Sequence, residues 1–175
     1  EIPVTEKSGS RKTIYLLQDQ MFRFWYRFVA PNISGIVRGI GAEIYEKQIR
    51  PQLSHFMGFV FEEICQQYLY LPQNLSSAPF LYSKCGRWWG NNPVEKRQEE
   101  IDIVVLDESH ILLGECKWQN APVGVDVLRD LILQGNLFYI QEKWFYVFAK
   151  TTFTKDCIDY AEKSKNIRLV TFDEM

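Results

Sequence analysis

Two apolar runs joined by a short polar turn constrain the fold of this chain more than any other feature. Residues 101–106 read IDIVVL, residues 111–117 read ILLGECK, and Asp-Glu-Ser-His stands between them. Apolar and β-branched runs on either side of a compact polar turn are typical of an antiparallel hairpin. These runs are apolar enough for a protein core, yet they carry Asp102, Glu115 and Lys117. Each of the three charges therefore needs an explanation.

The centre of the turn decides which charges meet. If it lies between Glu108 and Ser109, then Asp102 faces Glu115 across the hairpin. Facing positions on one side of a sheet bring Cβ atoms to about 5 Å of each other. Lys117 shares that side because side chains repeat every two residues along a strand. A slip of one residue would put the two carboxylates on opposite sides, so the cluster depends on the register.

Two facing carboxylates repel each other unless a positive group lies between them. A hard divalent ion, Mg²⁺ or Mn²⁺, binds carboxylate oxygens and keeps water ligands, which leaves room for a substrate phosphate. Lys117 would then orient an attacking water or offset charge that develops on the phosphorus. The alternative is an ordinary ion pair between Lys117 and one of the carboxylates. On spacing alone both interpretations stay open.

Composition narrows the class of protein. A chain of 175 residues with 46% hydrophobic side chains can bury the core of one domain. Its net charge of −2 provides no basic excess to attract nucleic acid over long distances. The four cysteines lack a C-x-x-C pair, which argues against a zinc site or a disulfide framework and favours the reducing cytoplasm. No apolar run is long enough to cross a membrane.

The remaining elements predict an α/β domain. Residues 2–18 suggest a hairpin, QDQMFRFWYRFVAP an aromatic helix that Pro31 ends, and ISGIVRGIGAE a flexible connector. An apolar stripe then predicts a helix over residues 53–70, and strands and helices alternate after the charged hairpin. Because the chain starts with Glu1 rather than Met, we expect it to be a piece of a longer protein.

The charged residues also match a known pattern. Asp102, followed by Glu115-Cys116-Lys117 and preceded by the helix segment GFVFE, resembles the PD-(D/E)XK nuclease superfamily, which includes restriction endonucleases and archaeal Holliday-junction resolvases. Here the Asp follows Ile101 rather than a proline. The chain also resembles, over nearly its full length, a C-terminal domain of unassigned function on archaeal and bacterial AAA-type ATPases. The segments FRFWYRFV, GFVFEE, GRWW, EIDIV and GECKW carry that resemblance in order.

The resemblance implies a restriction-endonuclease-like mixed β-sheet core flanked by helices over residues 51–175. Residues 1–50 would hold the remnant of a winged-helix wing, the aromatic helix and the connector. An ATPase domain would precede them in the same chain, and ATP would bind only in that missing N-terminal part.

The resemblance also implies roles for single residues. Asp102, Glu115 and Glu62 would bind Mg²⁺ or Mn²⁺, with the Cys116 backbone carbonyl completing the shell, and Lys117 would be the catalytic lysine. Two further positions are carried over weakly: Glu63, the neighbour of Glu62, and Gln134, a polar residue of the following helix. Glu99 and Glu100 are interpreted as loop or strand-edge charges without a role in the site.

Three functions follow. The first is a Mg²⁺-dependent DNA nuclease attached to an ATPase, in which local basic residues approach the phosphates: Lys84, Arg87, Lys96 and Arg97. The alternative is a catalytically silent module that binds DNA or protein, or regulates the ATPase, which the acidic pI favours. The third is a homo-oligomer that associates through exposed aromatic residues, namely Phe24, Trp25, Trp88 and Trp89.

Overall fold

A five-stranded mixed sheet lies at the centre of the computed structural model, which describes residues 1–7 and 9–175. The strands follow one another across the sheet in chain order: β1 Lys84–Asn92, β2 Arg97–Leu106, β3 His110–Lys117, β4 Glu142–Ala149 and β5 Ile167–Thr171. β2 is antiparallel to both β1 and β3, whereas β4 runs parallel to both β3 and β5.

The helices are α1 Gln20–Phe24, α2 Ile33–Val37, α3 Gly41–Ile44, α4 Arg50–Leu69, α5 Pro72–Leu75, α6 Val125–Gln134 and α7 Lys155–Ala161. The π-helical segments Trp25–Val29 and Tyr45–Ile49 follow α1 and α3, and 3₁₀ turns span Ala30–Asn32, Gly135–Leu137 and Phe172–Glu174. α6 and α7 provide the crossovers that parallel strands require.

Both faces of the sheet are covered. Side chains of α6 and α7 pack with Val104, Leu113 and Val147 on one face. Those of α4 pack with Ile103 and Phe148 on the other. Because the middle strands bury both faces, their central segments are almost continuously apolar, as in IVVL of β2, ILL of β3 and WFYVFA of β4. The mixed sheet flanked by helices confirms the predicted fold class.

Three predictions for the first fifty residues were wrong in detail. Among the described residues before Gln20 there is no strand, although Glu1 and Ile14 join by two backbone hydrogen bonds. Ser8, in the predicted turn, lies outside the described residues. The aromatic helix does not end at Pro31, since the chain passes through a 3₁₀ turn into α2. Pro31 has no N–H to donate, so the α-helical bonding changes here without stopping the helix.

The predicted flexible connector is largely helical as well. α2 and α3 occupy it, and only the turn around Gly39 separates them, with a φ of +88° that suits glycine. Ile44 is buried there with Phe28, Ile49 and Phe56 in a small core between the N-terminal helices and α4. This burial explains why the segment is ordered into helices despite its glycines.

No helix in the part of the chain that the structure describes is both long enough and apolar enough to span a membrane.

The small N-terminal core predicts a clear contrast between two aromatic residues of one segment. Phe28 is 2% exposed and lies edge-on against Phe56, with ring centroids 5.5 Å apart, whereas Tyr26 is 59% exposed. We expect Phe28→Ala to lower the free energy of unfolding by about 3–5 kcal/mol because it leaves a cavity. Tyr26→Ala should cost less than about 1 kcal/mol. Urea unfolding followed by circular dichroism measures both, and equal losses would contradict this packing.

Candidate active site

The hairpin of β2 and β3 has the predicted register. Ile103 pairs with Gly114, and the pairing continues without a shift to Leu106 and Ile111. At the turn, the Asp107 N–H donates to the His110 carbonyl over 3.1 Å. The pairing stops at Ile103 and Gly114, and one further step would place Asp102 opposite Glu115, whose charge acts on it.

A β-bulge in β2 lies at the same place. Gly86 of β1 pairs with Val104, but Trp88 pairs with Ile101, so Asp102 and Ile103 together face the single residue Arg87. A bulge bends its strand and redirects its side chains. It shifts the alternation, so that Ile101 and Val104 pack in the same core. The sequence contains no local signal that predicts this bulge or the closeness of Arg87 to Asp102.

Asp102 is half-buried, and its Oδ2 accepts a hydrogen bond of 2.9 Å from the Cys116 backbone N–H. Burial raises the pKa of Asp102 well above its ordinary value, and the nearby charges of Glu115 and Glu62 raise it further. The Cys116 N–H and the Lys117 ammonium oppose that rise. Asp102 is therefore a carboxyl group that retains a proton readily when no other cation is near.

Glu115 and Lys117 form an ion pair. The Lys117 Nζ lies 2.5 Å from Glu115 Oε1, and the two side chains are 35% and 18% exposed. Burial tends to lower the pKa of Lys117, but Glu115 and Asp102 outweigh it, and the pKa is raised overall. The ion pair that the sequence left open as an alternative is thus present. It does not exclude catalysis, because both side chains remain partly exposed and line a cavity.

Of the two adjacent carboxylates on α4, Glu62 contacts the sheet, through Arg87 of β1. Its Oε2 lies 3.4 Å from the Arg87 Nε. Burial raises the pKa of Glu62 to about 7, against the opposing charge of Arg87. Glu63 instead contacts the N-terminal helix, with its Oε1 3.1 Å from Arg23 Nη1 and its Oε2 2.5 Å from Gln20 Nε2. Glu63 therefore ties α1 to α4 and lies apart from the site.

Gln134, at the end of α6, contacts two residues whose importance the sequence analysis missed. Its Nε2 donates to Glu99 Oε2 over 2.9 Å and to the Glu100 carbonyl over 3.3 Å. The interpretation of Glu99 as a loop or edge charge was wrong, since it lies within β2 and is only 8% exposed. Its carboxylate also accepts hydrogen bonds from Asn92 and Arg97, which offset the cost of burial.

A cavity of about 840 Å³ opens beside these groups, between the β1–β2 turn and α6. Glu115, Lys117 and Gln134 are among its lining residues. Carboxylates outnumber cations around it: Glu95, Glu99, Glu100, Glu115 and Asp130, against Arg97 and Lys117. Four basic residues were predicted to approach the phosphates. Arg87 and Arg97 form ion pairs, whereas Lys84 and Lys96 are exposed.

The donor chemistry fits a hard divalent ion, since Asp102, Glu115 and Glu62 offer carboxylate oxygens. Each already has a protein partner, however: Glu115 pairs with Lys117, Glu62 with Arg87, and Asp102 accepts from the Cys116 N–H. Within residues 1–7 and 9–175, no three His, Cys, Asp or Glu side chains converge closely enough to hold a metal ion. Metal binding would therefore require side-chain rearrangement, and the role of the Cys116 carbonyl stays a prediction.

The raised pKa values predict how stability depends on pH without metal. A carboxyl group in the unfolded chain has a pKa near 4.3, whereas that of folded Glu62 is about 7. Between these values the folded state holds more protons than the unfolded state, so stability falls as pH rises through this window. We expect the Tm in EDTA to fall between about pH 5 and about pH 8.

Calorimetric melting of the wild type and Glu62→Gln tests this dependence. The Glu62→Gln variant has no ionisable group at this position, so its Tm should vary less over the same pH interval. Parallel curves for the two proteins would show that Glu62 is not the group responsible.

Known proteins share parts of this chain. The family DUF234, archaeal and bacterial proteins of unknown function, matches residues 25–129. A restriction endonuclease family matches residues 91–175, which contain Asp102, Glu115 and Lys117. The second match makes residues 91–175 similar to restriction endonucleases, and the mixed sheet flanked by helices agrees with that similarity.

Individual proteins are more distant. Uncharacterized protein MJECL04 of Methanocaldococcus jannaschii is 29% identical over 167 residues, which cover 90% of this chain and 36% of that protein. The chain thus spans about a third of the length of this relative.

Two solved structures are similar. A repair endonuclease from Pyrococcus abyssi covers 63% of this chain and 46% of its own, at 12% identity and a TM-score of 0.39. The protein of unknown function AF1548 covers 67% and 59%, at 18% identity and a TM-score of 0.45. Since the DUF234 match extends over more than half of the residues, the chain belongs to this family of archaeal and bacterial proteins of unknown function.

Proposed function

We propose that this chain is a nuclease domain that hydrolyses phosphodiester bonds of DNA with Mg²⁺ or Mn²⁺. The observation that carries the proposal is the meeting of Asp102, Glu115 and Lys117 at one end of the β2–β3 hairpin. Glu115 and Lys117 also line the cavity, so a phosphate that entered it would approach both. The match to restriction endonucleases over residues 91–175 supports the same chemistry.

Asp102, Glu115 and Glu62, with the Cys116 backbone carbonyl, would hold the divalent ion. When bound, such an ion lowers the pKa of its water and offsets the charge of the phosphate. Lys117 lies within reach of the same space and provides an ammonium group that can stabilise charge developing on the phosphate oxygens. Asp102 and Glu62 must lose their protons to act as ligands, so their raised pKa values imply competition between protons and metal.

An ATPase domain elsewhere in the same polypeptide belongs to the proposal. The curated relative is much longer than the matched region, which leaves room for further domains. ATP would bind there, and residues 1–50 would hold the remnant of a winged-helix wing together with the aromatic helix and the connector. A cytoplasmic location also belongs to the proposal, and the four free cysteines support it. Self-association is a further expectation. Of the four aromatic residues predicted for it, Trp25 is 44% exposed, whereas Phe24 and Trp88 are partly buried against the two cores and Trp89 is partly buried.

A second candidate function is a silent module that binds DNA or protein, or regulates the ATPase. The specific observation in its favour is the acidic lining of the cavity, because a nuclease usually presents cations to its substrate. Arg87 and Arg97 form ion pairs with neighbouring glutamates, so their charges are already compensated. If calorimetry detects no binding of Mg²⁺ or Mn²⁺, and Asp102→Asn leaves stability unchanged, this candidate replaces the first.

Cleavage assays on the full-length protein test the nuclease. We expect linear, branched or single-stranded DNA to be cut with Mn²⁺ or Mg²⁺ and to stay intact in EDTA. Asp102→Asn and Glu115→Gln should each lower the rate by about a hundredfold or more, since each removes a metal ligand.

Glu108→Gln is the matched control, because Glu108 is exposed in the turn at the other end of the same hairpin. It should cleave like the wild type. Intact DNA of all three kinds after incubation with either metal would refute the nuclease proposal.

A further inference from the structure

Arg87 links two acidic elements that would otherwise repel each other. Its Nε lies 3.4 Å from Glu62 Oε2 on α4, and its Nη2 hydrogen-bonds to Glu100 on β2. Arg87 and Glu62 are only 19% and 15% exposed, which makes the attraction between them stronger than that of a surface ion pair. The buried Arg87 Nε–H nevertheless lacks a hydrogen-bond partner among the described residues, so the guanidinium is incompletely satisfied.

The bulge and the N-terminal segment place Arg87 at this point. Arg87 is the one β1 residue that faces Asp102 and Ile103 across the bulge. Its carbonyl accepts a hydrogen bond of 3.0 Å from the Val4 N–H, so the N-terminal segment is joined to β1 beside it. The Arg87 charge therefore acts on Asp102 as well as on Glu62 and Glu100.

We propose that Arg87 is an internal counter-cation that binds Glu62 in the metal-free protein. A divalent ion must displace Arg87 to bind this carboxylate. The inference rests on the proposed metal-dependent function and adds a positioning residue that weakens metal binding. It accounts for the present side-chain arrangement, in which each ligand candidate on a neighbouring element already has a protein partner.

Arg87 and a divalent ion compete for the Glu62 carboxylate. With Arg87 in place, metal binding includes the cost of breaking the Glu62–Arg87 pair and of bringing a divalent cation near a guanidinium. Without the Arg87 charge, Glu62 and Glu100 lose their cation and form an acidic group with Asp102 at the bulge, beside the Glu115–Lys117 pair. That group should bind a divalent ion more tightly and should destabilise the fold when no ion is present.

Calorimetric titration of the protein with Mn²⁺ measures the competition directly. We expect Arg87→Gln to lower the Kd for Mn²⁺ by about tenfold or more, because it removes a positive charge in a half-buried site. Arg97→Gln is the matched control, since Arg97 belongs to the same β1–β2 hairpin but is 66% exposed and pairs with Glu99. It should change the Kd by less than about twofold.

Melting in EDTA gives a readout that needs neither DNA nor activity. Arg87→Gln should have a lower Tm than the wild type in EDTA, and saturating Mn²⁺ should raise its Tm by more than it raises that of the wild type. Arg87→Lys covers the case in which the Gln variant does not fold. A lysine keeps the charge but lacks the fork that reaches two carboxylates, so it should tighten Mn²⁺ binding by about two- to threefold.

Three results would overturn the proposal: no Mn²⁺ binding by the Arg87 variants, an unchanged Kd in them, or an equal effect of Arg97→Gln. Failure to cut DNA leaves these measurements intact, because they contain no DNA. If the protein cuts DNA but its Arg87 variants bind Mn²⁺ like the wild type, the nuclease proposal stands and the counter-cation proposal is refuted.

Discussion

The antiparallel pairing of β2 with β3 is the interaction on which the rest of this structure depends. It buries Ile103, Val104 and Leu113 on the two faces of the sheet, against α4 on one side and α6 and α7 on the other. A shift of one residue would exchange the faces of every side chain in the hairpin, so the packing of three helices specifies the register. The same register brings Asp102 towards Glu115.

Charge compensation determines the arrangement of the side chains in the site. The carboxylates near the bulge are held by Lys117, by Arg87 and by the Cys116 backbone N–H. Groups this close and this buried cannot all be ionised without cations between them, because desolvation and mutual repulsion both oppose it. The protein satisfies the requirement with its own side chains, and a metal ion would satisfy it in another way.

The N-terminal helices contribute to the site at a distance. α4 joins two cores, since its first half packs with Phe28 and Ile44 and its second half packs on the sheet. Glu63 fastens α1 to α4 through Arg23, while the adjacent Glu62 is directed the other way towards Arg87. One helical turn therefore serves both the small N-terminal core and the acidic site, which suggests that the two parts of the chain are not energetically independent.

The sequence by itself determined the hairpin, the helix that bears Glu62 and the α/β class, and it offered the register only on the condition that the turn is centred between Glu108 and Ser109. All of these follow from local patterns, namely apolar periodicity, a four-residue polar turn and the spacing of charges. The same patterns failed for the first fifty residues, where glycines and Pro31 indicated breaks that tertiary burial of Ile44 and Phe28 overcame.

Only the tertiary structure decided which charges act together. The bulge that brings Arg87 to Asp102, the opposite directions of Glu62 and Glu63, and the burial of Glu99 under Gln134 all depend on contacts between residues distant in the chain. Sequence spacing specifies the neighbours of a side chain along one strand or helix. The partner that the side chain finds on another element depends on how the elements pack, because packing and desolvation determine which charges must be compensated.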